Sequence, residues 1–124
     1  MSTTPNNKNI RFSIITSAYN MEHFITRTIE SVLSQKGDFE IEYIVMDGAS
    51  SDKTVAIAQQ YETQIRAGTY PLQCKSITME VVSQKDAGMY DAINKGFARA
   101  TGNMYAWLNA DDTYQTGAFQ AIAT

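Results

Sequence analysis

Asp47, Asp86 and the adjacent pair Asp111 and Asp112 each stand just past a short apolar run, where carboxylates can do chemistry. Carboxylates brought together repel one another. Such a cluster is tolerable when a cation or a ligand's donors compensate it. The Asp111–Asp112 pair offers hard oxygen atoms, which suit Mg²⁺ or Mn²⁺ rather than Zn²⁺. Mg²⁺ takes one or two carboxylates plus substrate phosphates, so a minimal acidic pair fits a nucleoside diphosphate site. The same pair can instead cap a following helix at Thr113 or Thr116. Asp47 opens the run Asp47-Gly48-Ala49-Ser50-Ser51-Asp52. These are good turn formers, yet Asp47 can also accept hydrogen bonds from a base or a ribose. Asp86 carries the same two readings. Tyr19 can stack on a base or pack at a strand end. Lys85, Lys95 and Arg99 read as solvated charges, and His23 as a surface or capping imidazole.

The elements that must position these residues follow from periodicity. Residues 11–16 (RFSIIT) read as a buried strand. Residues 22–35 read as a helix, with Ile25, Ile29, Val32 and Leu33 on one face of a 3.6-residue period and Gly37 ending it. Residues 40–47 form a second strand. Ser51 or Asp52 caps a helix striped by Ile57, Ala58, Tyr61 and Ile65. Residues 77–83 are a third strand, and Tyr90, Ile93 and Phe97 mark a third amphipathic helix. Residues 104–109 are a fourth strand, with a fourth helix from near Thr116.

Strands that alternate with helices predict an α/β fold, a mostly parallel sheet with helices on both faces. The expected strand order is 3-2-1-4. Ligands of open α/β sheets bind outside the carboxyl ends of the strands. The acids that follow the second, third and fourth strands are therefore expected at one edge. Residues 1–10 read as a disordered leader, and 11–124 as one domain.

Composition excludes other classes. Of 124 residues, 44% are hydrophobic and 19% charged, an ordinary globular balance. The net charge is −3, with no basic stripe, which argues against nucleic acid as a partner. The single cysteine, Cys74, cannot form an intrachain disulfide. A reducing cytoplasm is the natural setting, with a peripheral seat at the inner face of the membrane compatible with it. No apolar run reaches the ~20 residues of a membrane span.

Taken together, the segments FSIITSAYN, YIVMDGASSDKT and SQKDAGMYDAINKGFARATGNMYAWLNADD resemble glycosyltransferase family 2. They look like its first strand and YN turn, its V-D-D-G-S-x-D-x-T element, and its stretch from the third strand to the DxD motif. The D-x-G-x-Y-D-A-x-N-K-G and L-N-A-D-D wording resembles a bacterial subgroup of surface polysaccharide synthesis. The resemblance implies a GT-A (Rossmann-like) fold, here truncated after the DxD region, and a nucleoside diphosphate sugar donor, typically a UDP-sugar. It implies that Ser17, Tyr19 and Asn20 line the base pocket and that Asp47 contacts the base. Asp86 would sit by the ribose and diphosphate. Asp111 matches the metal-ligating acid of DxD, with Asp112 as a second candidate for Mn²⁺ or Mg²⁺. Asn109 stands where the motif usually starts with Asp. Asp91 and Asn94 match helix residues that shape the pocket.

The implied chemistry is an inverting displacement onto a saccharide or lipid-linked acceptor. It needs a general base. In the family that base is an Asp further along, so it is expected beyond Thr124. The chain alone is therefore expected to transfer no sugar, and to expose apolar surface around Trp107 through which it forms a homodimer. Two other readings stay open: a catalytically inactive nucleotide-binding fragment, and a sugar nucleotidyltransferase-like domain. The latter, like a NAD-type Rossmann domain, should show glycines after the first strand, where residues 17–21 have none.

Overall fold

The computed structural model describes residues 9–123. The expected leader lies outside the described residues as far as residue 8. Its last two positions belong to the fold. Ile10 packs against the main core, its carbonyl accepts from Glu40 N at 3.0 Å, and Asn9 O accepts from Asn103 Nδ2 at 3.0 Å.

The elements in chain order are β1 (Arg11–Ala18), α1 (Ile25–Leu33), β2 (Glu40–Asp47), α2 (Thr54–Ala67), β3 (Ser76–Ser83), α3 (Met89–Arg99), β4 (Met104–Trp107) and α4 (Ala118–Ala123). The four strands form one parallel sheet in the order β3-β2-β1-β4, as expected. Both sheet faces are covered, which is why the strands read as nearly continuous apolar runs. Strand alternation divides them. Ile14, Ile41, Tyr43, Val45 and Met79 pack with α1, Ala58 of α2 and Phe119 of α4. Ile15, Ile44 and Met46 turn the other way, toward Ala92 of α3. The buried Tyr43 and Thr16 hydroxyls satisfy one another at 2.7 Å.

Gly96 is the closest approach of α3 to the sheet. A Cβ there would fall 2.5 Å from Ile15 Cγ2 and 3.1 Å from Met46 Cγ, closer than side chains pack. This contact, with Ala92 and Ile93, sets the buried face of α3. Tyr90, expected on that face, is instead 71% exposed. On β4 the alternation leaves Tyr105 and Trp107 half-exposed, with Tyr105 stacked on Phe97 at 5.7 Å.

Several boundaries differ from the periodic reading: β1 runs on to Ala18, β3 starts one residue earlier at Ser76, β4 stops at Trp107, and the helix ends shift as well. Helix α1 begins at Ile25, because Phe24 N and Ile25 N both bond to Met21 O in a preceding turn. It ends at Leu33, before Gly37, whose N–H goes to Gln73 O across the chain. Helix α4 begins at Ala118 rather than Thr116. Lys53 holds the N-cap position of α2, and the Asp52 carboxylate accepts from Thr54 N at 2.9 Å beside it.

At the amino ends of the strands, Glu42 joins three segments. It accepts from Ser13 Oγ at 2.7 Å, Thr101 N at 2.7 Å and Thr101 Oγ1 at 3.1 Å, with Arg11 at 3.9 Å. Burial opposes its ionisation, but these donors and the guanidinium outweigh burial and hold its carboxyl below the usual range. A carboxylate with a depressed folded pKa stabilises above its unfolded pKa, and that stability is lost as pH falls through the folded value. Glu42→Gln is therefore expected to lower the thermal midpoint at neutral pH. The gap to the wild type should narrow as pH falls below the ordinary glutamate value of about 4.3 and on through the lower folded one. A gap independent of pH would show that the charge of Glu42 is not what stabilises this end.

Candidate functional site

The carboxyl ends of the strands open into a cavity of about 690 Å³, within the size range of small-molecule sites. Each wall comes from a different connection. Ser17, Ala18, Tyr19 and Met21 follow β1, and Gly48 and Ala49 follow β2. Lys85, Asp86 and Gly88 follow β3, with Met89 and Ala92 from the start of α3. Asn109, Ala110 and Asp111 follow β4. The last wall stays in register with the sheet past the end of β4. Leu108 N donates to Ile15 O at 2.8 Å and Ala110 N to Ser17 O at 3.1 Å.

The expected site residues divide between lining and scaffold. Tyr19 lines the cavity and is 59% exposed, so its ring is available for stacking. Ser17 Oγ donates to Asn109 Oδ1 at 3.1 Å, which leaves the Asn109 amide NH₂ as a donor. Asp86 lines the cavity and accepts from Gly88 N at 2.9 Å. Gly48 makes room for it, since a Cβ there would fall 2.9 Å from Asp86 Oδ2. Asp111 is exposed, and no hydrogen bond or ion pair holds its carboxylate among the described residues.

Asp47 and Asn20 do not line the cavity. Asp47 is buried. Its carboxylate accepts from Ser50 N at 2.8 Å, Ser50 Oγ at 2.5 Å and Ser83 Oγ at 2.9 Å. Asn20 adopts φ 51° and accepts from Ser51 N at 2.9 Å, while its own N–H goes to Ser50 Oγ at 2.8 Å. Together they lock the β1 and β2 connections to each other. The locked loop holds Ala49 at φ 65°, a left-handed conformation unusual for alanine. Strain of that kind gathers at functional sites.

Asp112 also points elsewhere, accepting from Thr113 N at 2.9 Å. Asp91 closes the turn into α3, taking Ala87 N at 2.9 Å and pairing with Lys95 at 3.0 Å. The Ala87 N–H, then Lys95, hold its carboxyl below the ordinary range. Asn94 is exposed on α3, outside the lining. Lys85, read from sequence as a solvated charge, is the cation in the cavity lining. Its place right after a strand was the signal for it. Met21, Met89 and Ala49 carried no comparable signal.

Among the described residues no three His, Cys, Asp or Glu side chains are grouped to hold a metal ion. The donor set still fits Mg²⁺ or Mn²⁺ of the kind that arrives with a substrate. One or two carboxylates and diphosphate oxygens complete such a site. Asp111 supplies an uncommitted hard oxygen donor in the cavity lining.

A four-stranded parallel sheet in the order β3-β2-β1-β4 with helices on both faces is the architecture expected of this part of a GT-A fold, and comparison with known proteins agrees. In complex with UDP-GlcNAc, residues 1–349 of Staphylococcus aureus TarS superpose with a TM-score of 0.68 at 23% identity, over 92% of this chain and 30% of that one. The mannosyltransferase PcManGT of Pyrobaculum calidifontis, in complex with GDP-Man and Mn²⁺, gives 0.68 at 22% identity, over 97% and 32%. An uncharacterized glycosyltransferase of Nostoc is 32% identical over 113 residues, covering 91% of this chain and 32% of the relative. The minor teichoic acid biosynthesis protein GgaB of Bacillus subtilis is 30% identical over 115 residues, covering 92% and 12%. The family model for glycosyl transferase family 2 matches residues 13–124, and the chain belongs to that family. It spans about a third of the length of the first curated relatives it matches.

Proposed function

We propose that these residues are the donor-binding half of an inverting, metal-dependent glycosyltransferase that uses a nucleoside diphosphate sugar, with UDP as its nucleotide. The observation that carries this reading is the single cavity at the strand ends, where Tyr19, Lys85, Asp86, Asn109 and Asp111 converge. Tyr19 offers a stacking surface for the base. Asp86 accepts hydrogen bonds from the ribose, and Asn109 donates from its amide. Lys85 places positive charge where a diphosphate would lie. A divalent cation at Asp111 would act as a Lewis acid, offsetting charge on the departing diphosphate. The acceptor is a saccharide or lipid-linked hydroxyl, and the pathway is bacterial surface polysaccharide synthesis. The relative that acts in teichoic acid biosynthesis supports that choice. Neighbours solved with UDP-GlcNAc and with GDP-Man support a nucleotide sugar donor.

On this reading the 124 residues bind donor. Transfer waits on the acceptor platform and the general base, which the family resemblance places later in the chain. A cytoplasmic protein, peripheral at the inner membrane face, fits the same reading. No helix among the described residues is long and apolar enough to cross a membrane.

A thermal-shift panel of UDP-, GDP- and dTDP-sugars, each with and without Mn²⁺, tests the proposal. Ligand at about 100 times its Kd stabilises by about 2.7 kcal/mol, which moves the midpoint of a domain this size by several degrees. The expected result is a UDP-sugar shift that grows with Mn²⁺. No shift with any nucleotide under either condition would sink the reading.

A further inference from the structure

Past Ala110, whose N–H still bonds to Ser17 O, the segment that carries Asp111 runs to α4 without a strand ladder or helix of its own. Its backbone groups still need partners. Side chains on and just after α1 supply them. Thr28, fully buried, directs its hydroxyl at Ala110 O (2.9 Å) and Asp112 O (2.5 Å), the carbonyls on either side of Asp111. One turn on, Ser31 Oγ accepts from Tyr114 N at 3.1 Å. Beyond the helix end, the buried Gln35 donates to Gln115 O at 2.9 Å and accepts from Phe119 N at 3.0 Å. Thr28 and Ser31, spaced i, i+3, share one stripe of α1, and Gln35 continues its line just past the helix end. The stripe is polar where the rest of the buried α1 face is apolar.

We infer that Thr28, backed by Ser31 and Gln35, is the positioning residue of the acidic loop and sets where the Asp111 carboxylate stands in the cavity. This rests on the reading of Asp111 as the cation-holding acid. That carboxylate has no hydrogen bond of its own among the described residues, so the position of its backbone sets where its rotamers can reach. A single Thr28 hydroxyl proton, shared between two carbonyls, grips that backbone on both sides. Sites of this kind must hold their groups within about 0.5 Å of the working geometry. Releasing the grip therefore blunts metal-dependent binding and leaves the Tyr19 and Asp86 walls as they were.

The test uses this 124-residue chain with UDP and Mn²⁺ as probes, comparing Thr28→Val with Thr28→Ser. Valine keeps the volume and removes the hydroxyl, while serine keeps the hydroxyl. Thr28→Val is expected to weaken UDP binding in Mn²⁺ by about tenfold or more, as losses of groups that orient metal ligands do. UDP affinity without metal should stay within about twofold, and Thr28→Ser should keep the metal-dependent affinity near the wild-type value. Hydrogen exchange gives a readout independent of metal. The amides of Asp112 and Tyr114 should exchange about tenfold faster in Thr28→Val, with those of β1 and β2 unchanged. If Thr28→Val does not fold, Ser31→Ala carries the same readouts.

Unchanged exchange at Asp112 and Tyr114 overturns the inference. So does an equal loss of metal-free and metal-dependent affinity, or a serine variant that loses as much metal-dependent affinity as the valine one. Failure of the underlying reading shows separately, as a wild type whose UDP affinity ignores Mn²⁺. In that case the exchange comparison by itself supports or overturns the grip of Thr28 on the loop.

Discussion

Asp111→Ala is expected to abolish Mn²⁺-dependent binding of UDP while leaving the fold intact. The side chain is exposed, and no hydrogen bond or ion pair holds its carboxylate among the described residues, so its loss removes no structural contact. Surface substitutions away from structural features change stability by about 0.5 kcal/mol or less. Binding should respond very differently. A hard cation that arrives with a diphosphate takes only one or two protein carboxylates, so losing one removes much of what the protein contributes. Charge-assisted contacts of this kind are worth about 1.5–3 kcal/mol each, or roughly 10- to 100-fold in affinity. Asp112→Ala should do less, because its carboxylate is already taken up by Thr113 N. Titration calorimetry of UDP with and without Mn²⁺ separates these outcomes. If both variants bind UDP and Mn²⁺ as tightly as the wild type, neither acid holds the metal.

Asp47→Ala is expected to produce the opposite pattern, a large loss of stability. Asp47 is 1% exposed, and its two oxygens accept from Ser50 N, Ser50 Oγ and Ser83 Oγ. Alanine leaves these donors without their acceptor, and water reaches only part of them, since Ser83 is exposed and Ser50 half-buried. Hydrogen bonds to a charged group contribute about 1.5–3 kcal/mol each, and water at the accessible donors recovers part of that, so about 2–4 kcal/mol in all is expected, against a typical domain stability of about 5–15. The bond to Ser83 ties β2 to the end of β3, and the bonds to Ser50 hold the loop that keeps Ala49 left-handed at the cavity. Urea denaturation measures the loss. Asp47→Asn should fall between, since its NH₂ faces donors it cannot accept from. An alanine variant as stable as the wild type that loses only nucleotide affinity would instead make Asp47 a base-contacting residue.

These two aspartates look alike in the sequence. Asp47 ends an apolar run, Asp111 follows one closely, and each precedes small or polar residues. Local chemistry placed both at the carboxyl edge, since a strand's end and the direction of a parallel sheet are legible from the βα alternation. It left their partners open. Asp47 finds Ser83 on a neighbouring strand 36 positions away, and Asp111 is flanked by carbonyls held from 82 and 84 positions away. Lys85 was legible only as a charge, and its facing the cavity depends on how the loop after β3 turns toward α3. Tyr90 misled for the same reason. The buried stripe of α3 is set by Gly96 meeting Ile15 and Met46, a contact between elements.

The sequence by itself determined the element order, the parallel sheet with helices on both faces and the edge where the acids gather. Burial patterns repeat along a chain with the period of the local backbone, so each strand and helix carries its own signature. Only the tertiary structure decided which of the gathered acids face the cavity and which are scaffold. It also decided which helix grips the acidic loop. A polar side chain's role depends on the donors, acceptors and space that other segments bring to it, and no local period records those.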